Sequence, residues 1–497
     1  MRFAAANWAR LGGIGASVAI LSGCLRVPNA QEMRDLRAEE AEARLRELSE
    51  KKSAEGSAYL SGDLRLADAI AKALELNLSL QQARQARDIS RGRIQESYSE
   101  VLPALDLTGD YLRRDEESGT TQNGTYGTTR YPDQYGAGLK LTQPLFNGRI
   151  GAALRTAKLY RTWAEMGIRQ AEEDLRYETV SAYYNAILSG HLLEVNLAAL
   201  ETAERQLADT QARRRQGMAS NYDELRAQVE VSNFRAQVLQ ARNGKDVAQT
   251  TLFRLIGASP ESDVKLVDAI PLVMEEIAFA EALGTALERR ADLAEAEYAV
   301  RMQRESVAAA QSRYFPEVSG YALQEWANPD PHDSSRDEWG DEWQAGVQLS
   351  LPIFDGLDRR GALVQERAKL RQCEIALRDV EEKAISQIRQ LVRSLKTAEE
   401  FANSQSQNLE TAQEALRLVE SGLKEGQNTP VEVMDARQAL TTASANYYKS
   451  LFDHALARVS LQKAMGLLSD GALPDAAVLG ARPSGAGEQR VLEKEHE

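Results

Sequence analysis

Few residues in this chain could do chemistry, and they do not assemble into a catalyst. The four histidines, His191, His332, His454 and His496, are scattered and not at ligand spacing. No C-x-x-C, H-E-x-x-H, P-loop or G-x-S-x-G pattern occurs. The acidic stretch 330–342 reads as a solvated loop rather than a cation site. The expectation is therefore no enzyme, no metal and no dissociable cofactor. One residue does point to covalent chemistry. Cys24 closes the string Leu21-Ser22-Gly23-Cys24, after a positive segment with Arg2 and Arg10 and a short apolar run over 11–21. That run is too short to span a membrane and reads as a signal peptide, 1–23. The string resembles a lipobox, where cleavage precedes the cysteine and its thiol takes a diacylglyceryl group. Leu25 follows, not Asp, which implies sorting to the outer membrane. Cys373, the only other cysteine, falls in helical text and is expected to pack, so no disulfide framework exists.

The elements around these residues are written twice. Residues 138–148 read G-L-K-L-T-Q-P-L-F-N-G, and residues 346–356 read G-V-Q-L-S-L-P-I-F-D-G. A repeated unit packs against copies of itself. Aromatics are only 6% while Ala, Leu, Glu, Arg and Gln abound, the composition of long helices and coiled coils. The net charge of -14 argues against a nucleic-acid partner. No apolar run in the mature chain reaches the roughly 18–20 residues of a spanning helix, so any membrane crossing must be a β-barrel.

The spacing predicts a charged N-terminal spacer over 24–60, then repeat 1 over 61–257, a connector over 258–278, repeat 2 over 279–466, and a final segment with a disordered tail over 467–497. In each repeat a helix (66–100, and its counterpart from 279) is broken by Pro103 or Pro316. A strand pair follows, 104–145 or 317–353. Leu105, Leu107 and Tyr111 alternate with Asp106, Thr108 and Asp110, as a sheet with one lipid face and one wet face requires, though a one-sided soluble sheet gives the same pattern. Tyr131, Tyr135, Trp326, Trp339 and Trp343 fall near strand ends, where an interfacial girdle would lie. Long helices over 149–215 and 357–424 then turn at Gly217 and Gly426 into returning helices. At 1.5 Å per residue each long helix would reach roughly 100 Å. Four strands cannot close a barrel, since the smallest single-chain barrels have about eight, so either the strands form no barrel or several chains share one.

This order of parts resembles the TolC family of outer-membrane efflux proteins, its lipidated members in particular. The P-L-F-N-G and P-I-F-D-G pair and the turn G-Q-N-T-P-V-E-V-M-D-A over 426–436 carry the likeness most specifically. The resemblance implies a mainly α fold with a small β part, built from two tandem repeats with long coiled-coil helices and four strands per chain. It implies a homotrimer whose shared β-barrel sits in outer-membrane lipid and joins an α-helical barrel crossing the periplasm. An inner-membrane pump and a periplasmic adaptor protein would dock on the closed inner tip, at the turns holding Gly217, Ser220, Gly426 and Thr429. Acidic rings close the tip in relatives, and the matching positions here are Glu432 and Asp435. Thr429-Pro430-Val431-Glu432 also reads as a capping box with Pro at N1, as Ser220 with Asp223 does in repeat 1. Relatives tie the tip with an Arg and a Tyr to an Asp. Asp223 matches the Asp, but the other positions hold Asn428 and Leu423, leaving Arg226, Arg213 or Lys424 to rebuild the tie. The resulting expectation is a passive exit duct of a tripartite efflux system. Its alternatives are the duct of a type I protein secretion system or a non-conducting, lipid-anchored tether.

Overall fold

A computed structural model describes residues 30–50, 59–113, 120–122, 125–127, 133–332 and 337–468. Cys24, Tyr131 and the tail from 469 lie outside them. The chain divides into two units. The first contains helix α1 (Ala30–Glu50), whose polar faces carry charges at i,i+4 spacing. All other described elements belong to the second.

Repeat 1 opens with strand β1 (Ser61–Leu64) and three short helices, α2 (Leu66–Leu76), α3 (Leu78–Arg84) and α4 (Ala86–Tyr98). The periodicity predicted one helix here; the structure breaks it at Asn77 and Gln85. Asn77 is extended, and its side chain accepts from the Leu80 amide at 3.1 Å, so the residue starts a new helix instead of continuing the old one. Strands β2 (Ala104–Arg113) and β5 (Asp133–Phe146) follow, with a small hairpin between them, β3 (Thr120–Gln122) and β4 (Thr125–Gly127). Helix α5 (Gly148–Arg215) is 68 residues long, and α6 (Asn221–Leu255) returns along it.

The connector is not wholly irregular. Its strand β6 (Asp263–Leu266) pairs in parallel with β1, Ser61 opposite Asp263. Such a pairing joins residues some two hundred positions apart, so no local pattern announces it. Beside it, Asp268 accepts from the Leu66 amide at 2.6 Å, and the buried Tyr183 hydroxyl lies 2.8 Å from the same carboxylate. Burial and that carboxylate push the Tyr183 phenol well above its ordinary pKa.

Repeat 2 runs α7 (Phe279–Arg289), α8 (Ala291–Ser312), β7 (Glu317–Asn328), β8 (Gly340–Ser350), α9 (Asp358–Lys424) and α10 (Pro430–Ala464). The expected single helix is again broken, here at Arg290. The two matched motifs build different elbows. In repeat 1 the strand reaches Phe146 and Asn147 caps α5 directly, accepting from the Arg149 amide at 2.9 Å. In repeat 2 the strand ends at Ser350, and Gly356 and Leu357 are both left-handed, with φ of 67° and 75°. Asp355 there takes the Arg359 guanidinium at 2.6 Å.

Strands β2, β5, β7 and β8 form one antiparallel sheet in that order. The pairs β1–β6 and β3–β4 come in addition. Apolar burial concentrates where the short helices meet the long ones. Ala282, Ala286, Ile388, Leu395, Leu461 and Met465 make one such cluster.

Candidate functional site: an open sheet and two helical tips

Residues opposite one another on neighbouring strands share a face of the sheet. Register therefore sorts the side chains. One row reads Leu107, Leu139, Gln324, Trp343, and its neighbour reads Leu105, Leu141, Ala322, Ala345. The opposite face carries Asp106, Lys140, Leu323, Gln344 and then Thr108, Gly138, Glu325, Glu342. One face is thus largely apolar and the other polar. The apolar side is not covered by the chain's own helices: Leu107 is 77% exposed and Trp343 is 73% exposed. A soluble sheet would bury that face. Tyr111 and Tyr135 pair at one end of it, ring centroids 5.1 Å apart; Trp326 on β7, Trp343 on β8 and Trp339 just before β8 are exposed as well. Phe146, Phe315, Ile353 and Phe354 stand exposed at the other end of the strands. Among the described residues no helix is long and apolar enough to cross a membrane.

Far along the helices lie the two tips. Gly217 and Gly426 both adopt left-handed φ, 75° and 74°, which a glycine reaches without strain. The Met218 amide closes back on the Arg213 carbonyl at 2.8 Å, and the Gln427 amide on that of Gly422 at 2.8 Å. Each returning helix then starts in a full capping box. Ser220 Oγ accepts from the Asp223 amide at 3.1 Å, and the Ser220 amide donates to the Asp223 carboxylate at 2.9 Å. The Ser220 hydroxyl, which donates to the same carboxylate at 2.7 Å, and then the Ser220 amide hold the Asp223 carboxyl below the usual carboxylate range. In repeat 2 the Thr429 amide donates to Glu432 at 2.7 Å. Glu432 is therefore committed to the cap, while Asp435, one turn on, is exposed.

The positions of the implied tie hold Asn428 and Leu423, and neither carries a charge. Asn428 folds back onto its own turn, its Nδ2 donating to the Val419 carbonyl at 3.3 Å. The space it fills exists because residue 422 is glycine; a Cβ there would meet Asn428 Nδ2 at 2.6 Å. Of the candidate bases, Arg226 acts on Asp223 as a nearby charge. Arg214, not Arg213, makes the ion pair of the first tip, with Glu224. A further polar set was not legible in the sequence. Arg437 pairs with Glu420 at 2.9 Å beside a cavity of about 440 Å³, which Glu230 and Phe234 also line. It draws on three helices, so no single stretch of text signals it.

The model of the outer membrane efflux protein family matches residues 69–258 and 282–467, one match per repeat. The chain belongs to the outer membrane efflux protein family. The alkaline protease secretion protein AprF of Pseudomonas aeruginosa is 22% identical over 418 residues, covering 82% of this chain and 86% of that protein. Outer membrane protein TolC of Escherichia coli is 22% identical over 407 residues, covering 79% and 80%. In fold the chain is similar to the Campylobacter jejuni CmeC outer membrane channel, with a TM-score of 0.72 at 17% identity, covering 84% and 90%. As an efflux-family member this chain is an outer-membrane channel that serves as an exit duct. Its family is one of channels, not enzymes.

Proposed function

We propose that three copies of this chain close one barrel in the outer membrane and one helical tunnel below it, and that the assembly conducts its cargo passively. The observation that carries this reading is the sheet. It has four strands, with β2 and β8 as its two edges, and an apolar face with no cover among the described residues. An exposed flat edge is a template for another strand, and closure with further copies satisfies it. A second exposed seam agrees: Leu225, Val229, Leu239 and Val247 stand out along α6 at near-heptad spacing.

The polar face then encloses water and the apolar face meets lipid. The tips lie at the far end of the long helices, and there an adaptor and an inner-membrane pump would dock. Energy comes from the pump, and the duct itself catalyses nothing. Cys24 adds a lipid anchor, a reading that rests on the L-S-G-C string and is tested by incorporation of labelled palmitate that Cys24→Ala abolishes. Small-molecule efflux is the favoured cargo. Polypeptide secretion is the second reading, favoured by the likeness to AprF.

The test is single-channel conductance of purified protein in a planar bilayer, beside the native mass of the complex. Small cation-preferring currents from a trimer are expected. Folded, inserted protein without current would leave a lipid-anchored tether. Deleting the gene separates the cargoes: sensitivity to toxic small molecules marks efflux, and loss of a secreted polypeptide marks secretion.

A further inference from the structure

Arg437 sits among acids. On its own hairpin it donates to Glu420 of α9 at 2.9 Å, with side-chain exposures of 21% and 41%. Across the cavity, on the other repeat's α6, lies the half-buried Glu230. Asp435 stands two residues before Arg437 on α10, and its charge also reaches Glu230. Arg226 on α6 and Arg205 on α5 are the remaining bases at this seam. Two carboxylates from two other helices, Glu420 and Glu230, thus share this cavity with a guanidinium whose Nε is buried without a partner.

Burial of Glu230 costs free energy, and the nearby cations offset only part of it. If the two hairpins separate, Glu230 regains water and the cost disappears. Charge at this seam therefore drives the hairpins apart unless something counters it. Residues 435 and 437 lie about 200° apart around a helix of 3.6 residues per turn. Anchoring Arg437 on α9 accordingly turns Asp435 to the other side of α10.

Resting on the duct reading, we propose that Arg437 is the positioning residue of the closed tip: it neutralises Glu420 and Glu230 at the seam between the repeats and so keeps α10 in the register that presents Asp435. It replaces the tie that Asn428 and Leu423 cannot make.

Single-channel recording of the full-length trimer tests this with Arg437→Ala, Arg437→Lys and the pair Arg437→Ala/Glu230→Gln. Loss of a partly exposed ion pair shifts a two-state balance by about fivefold, so Arg437→Ala is expected to raise mean conductance by about that factor. Arg437→Lys keeps the charge and stays near wild type. Glu230→Gln in the Arg437→Ala background brings the current back down, which a mere packing role for Arg437 would not produce. Wild-type current from Arg437→Ala, or a pair as open as the single variant, overturns the proposal. Hydrogen exchange of α10 amides in detergent is the second readout. Faster exchange over 430–440 in Arg437→Ala, reversed by Glu230→Gln, supports the tie; unchanged exchange overturns it. A wild-type protein that inserts without conducting sinks the duct reading, and the exchange result still decides the role of Arg437.

Discussion

Asn77 and Arg290 hold equivalent places in the two repeats and take equivalent partners: Asn77 Nδ2 donates to the Leu255 carbonyl at 3.1 Å, and an Arg290 Nη donates to the Ala464 carbonyl at 3.1 Å. Each residue sits at the break between two short helices and caps the end of its own repeat's returning helix. A two-bond amide and a long guanidinium thus satisfy the same orphan carbonyl. Beside each cap the chain turns through a left-handed glycine, Gly257 or Gly466.

Those glycines yield the first prediction. A Cβ on Gly466 would meet the Arg289 carbonyl carbon and oxygen at 2.8 Å, whereas one on Gly217 meets nothing within 4 Å. Both have positive φ, which costs an L-residue roughly 1–2 kcal/mol. Gly466→Ala should therefore destabilise by clearly more than Gly217→Ala, which should lose only about 1–2 kcal/mol. Thermal melts of the two variants check the order; equal losses would mean that the backbone at Arg289 gives way.

Glu432 and Asp435, the carboxylates expected at the gate, can be separated by chemistry. Glu432→Gln keeps an oxygen for the Thr429 amide and removes the charge, so the cap survives. Asp435→Ala removes an exposed carboxylate with no capping duty. Removing both charges should raise conductance and weaken cation preference, with Asp435 giving the larger share. Reversal potentials in a KCl gradient decide it, and no change in either variant would place closure elsewhere.

Asp223 links the first tip to pH. Its folded-state pKa is depressed, first by the Ser220 hydroxyl and then by the Ser220 amide. The stabilisation is therefore present above the ordinary carboxylate pKa and is lost as pH falls through the depressed value. Ser220→Ala should remove part of that acid-side loss, so melting curves of wild type and variant converge at low pH. Parallel curves would count against the capping bonds.

Glu230 has the opposite sign. Burial raises its pKa in the closed seam, so protonation favours closure, and this preference is lost as pH rises through the raised value. Wild-type conductance should fall on mild acidification relative to Glu230→Gln, which lacks the titrating group. A wild-type to variant difference that does not move with pH would sink the idea.

The two faces of the sheet give a final contrast. Leu107 and Thr108 are neighbours in sequence but lie on opposite faces. Arginine on the lipid face near mid-membrane costs about 2–4 kcal/mol, and on the wet face far less. Leu107→Arg should deplete outer-membrane protein while Thr108→Arg should be recovered normally. Fractionation of the two variants checks it.

The sequence by itself determined whatever depends on neighbours along the chain. The 3.6-residue periodicity marks α5 and α9, the alternation around Leu105–Leu107 marks the strands, and Ser220 with Asp223 and Thr429 with Glu432 mark the capping boxes. Gly217 and Gly426 mark the turns for the same reason: the constraint is local and backbone-level. Tertiary structure alone decided the contacts between distant segments. The β1–β6 pairing, the Asp268–Tyr183 contact and the caps that Asn77 and Arg290 place on the returning helices depend on partners 85 or more residues away, as does Glu230 facing Arg437. The two elbows make the same point from the other side. P-L-F-N-G and P-I-F-D-G are near-identical text, yet one caps a helix at once and the other passes through two left-handed residues. What differs is the surroundings. Gly148 packs so closely on Ser312 that a Cβ would lie 2.8 Å from the serine Cβ, whereas one on Gly356 would meet nothing within 4 Å. A local motif proposes a turn, and packing selects which one is built.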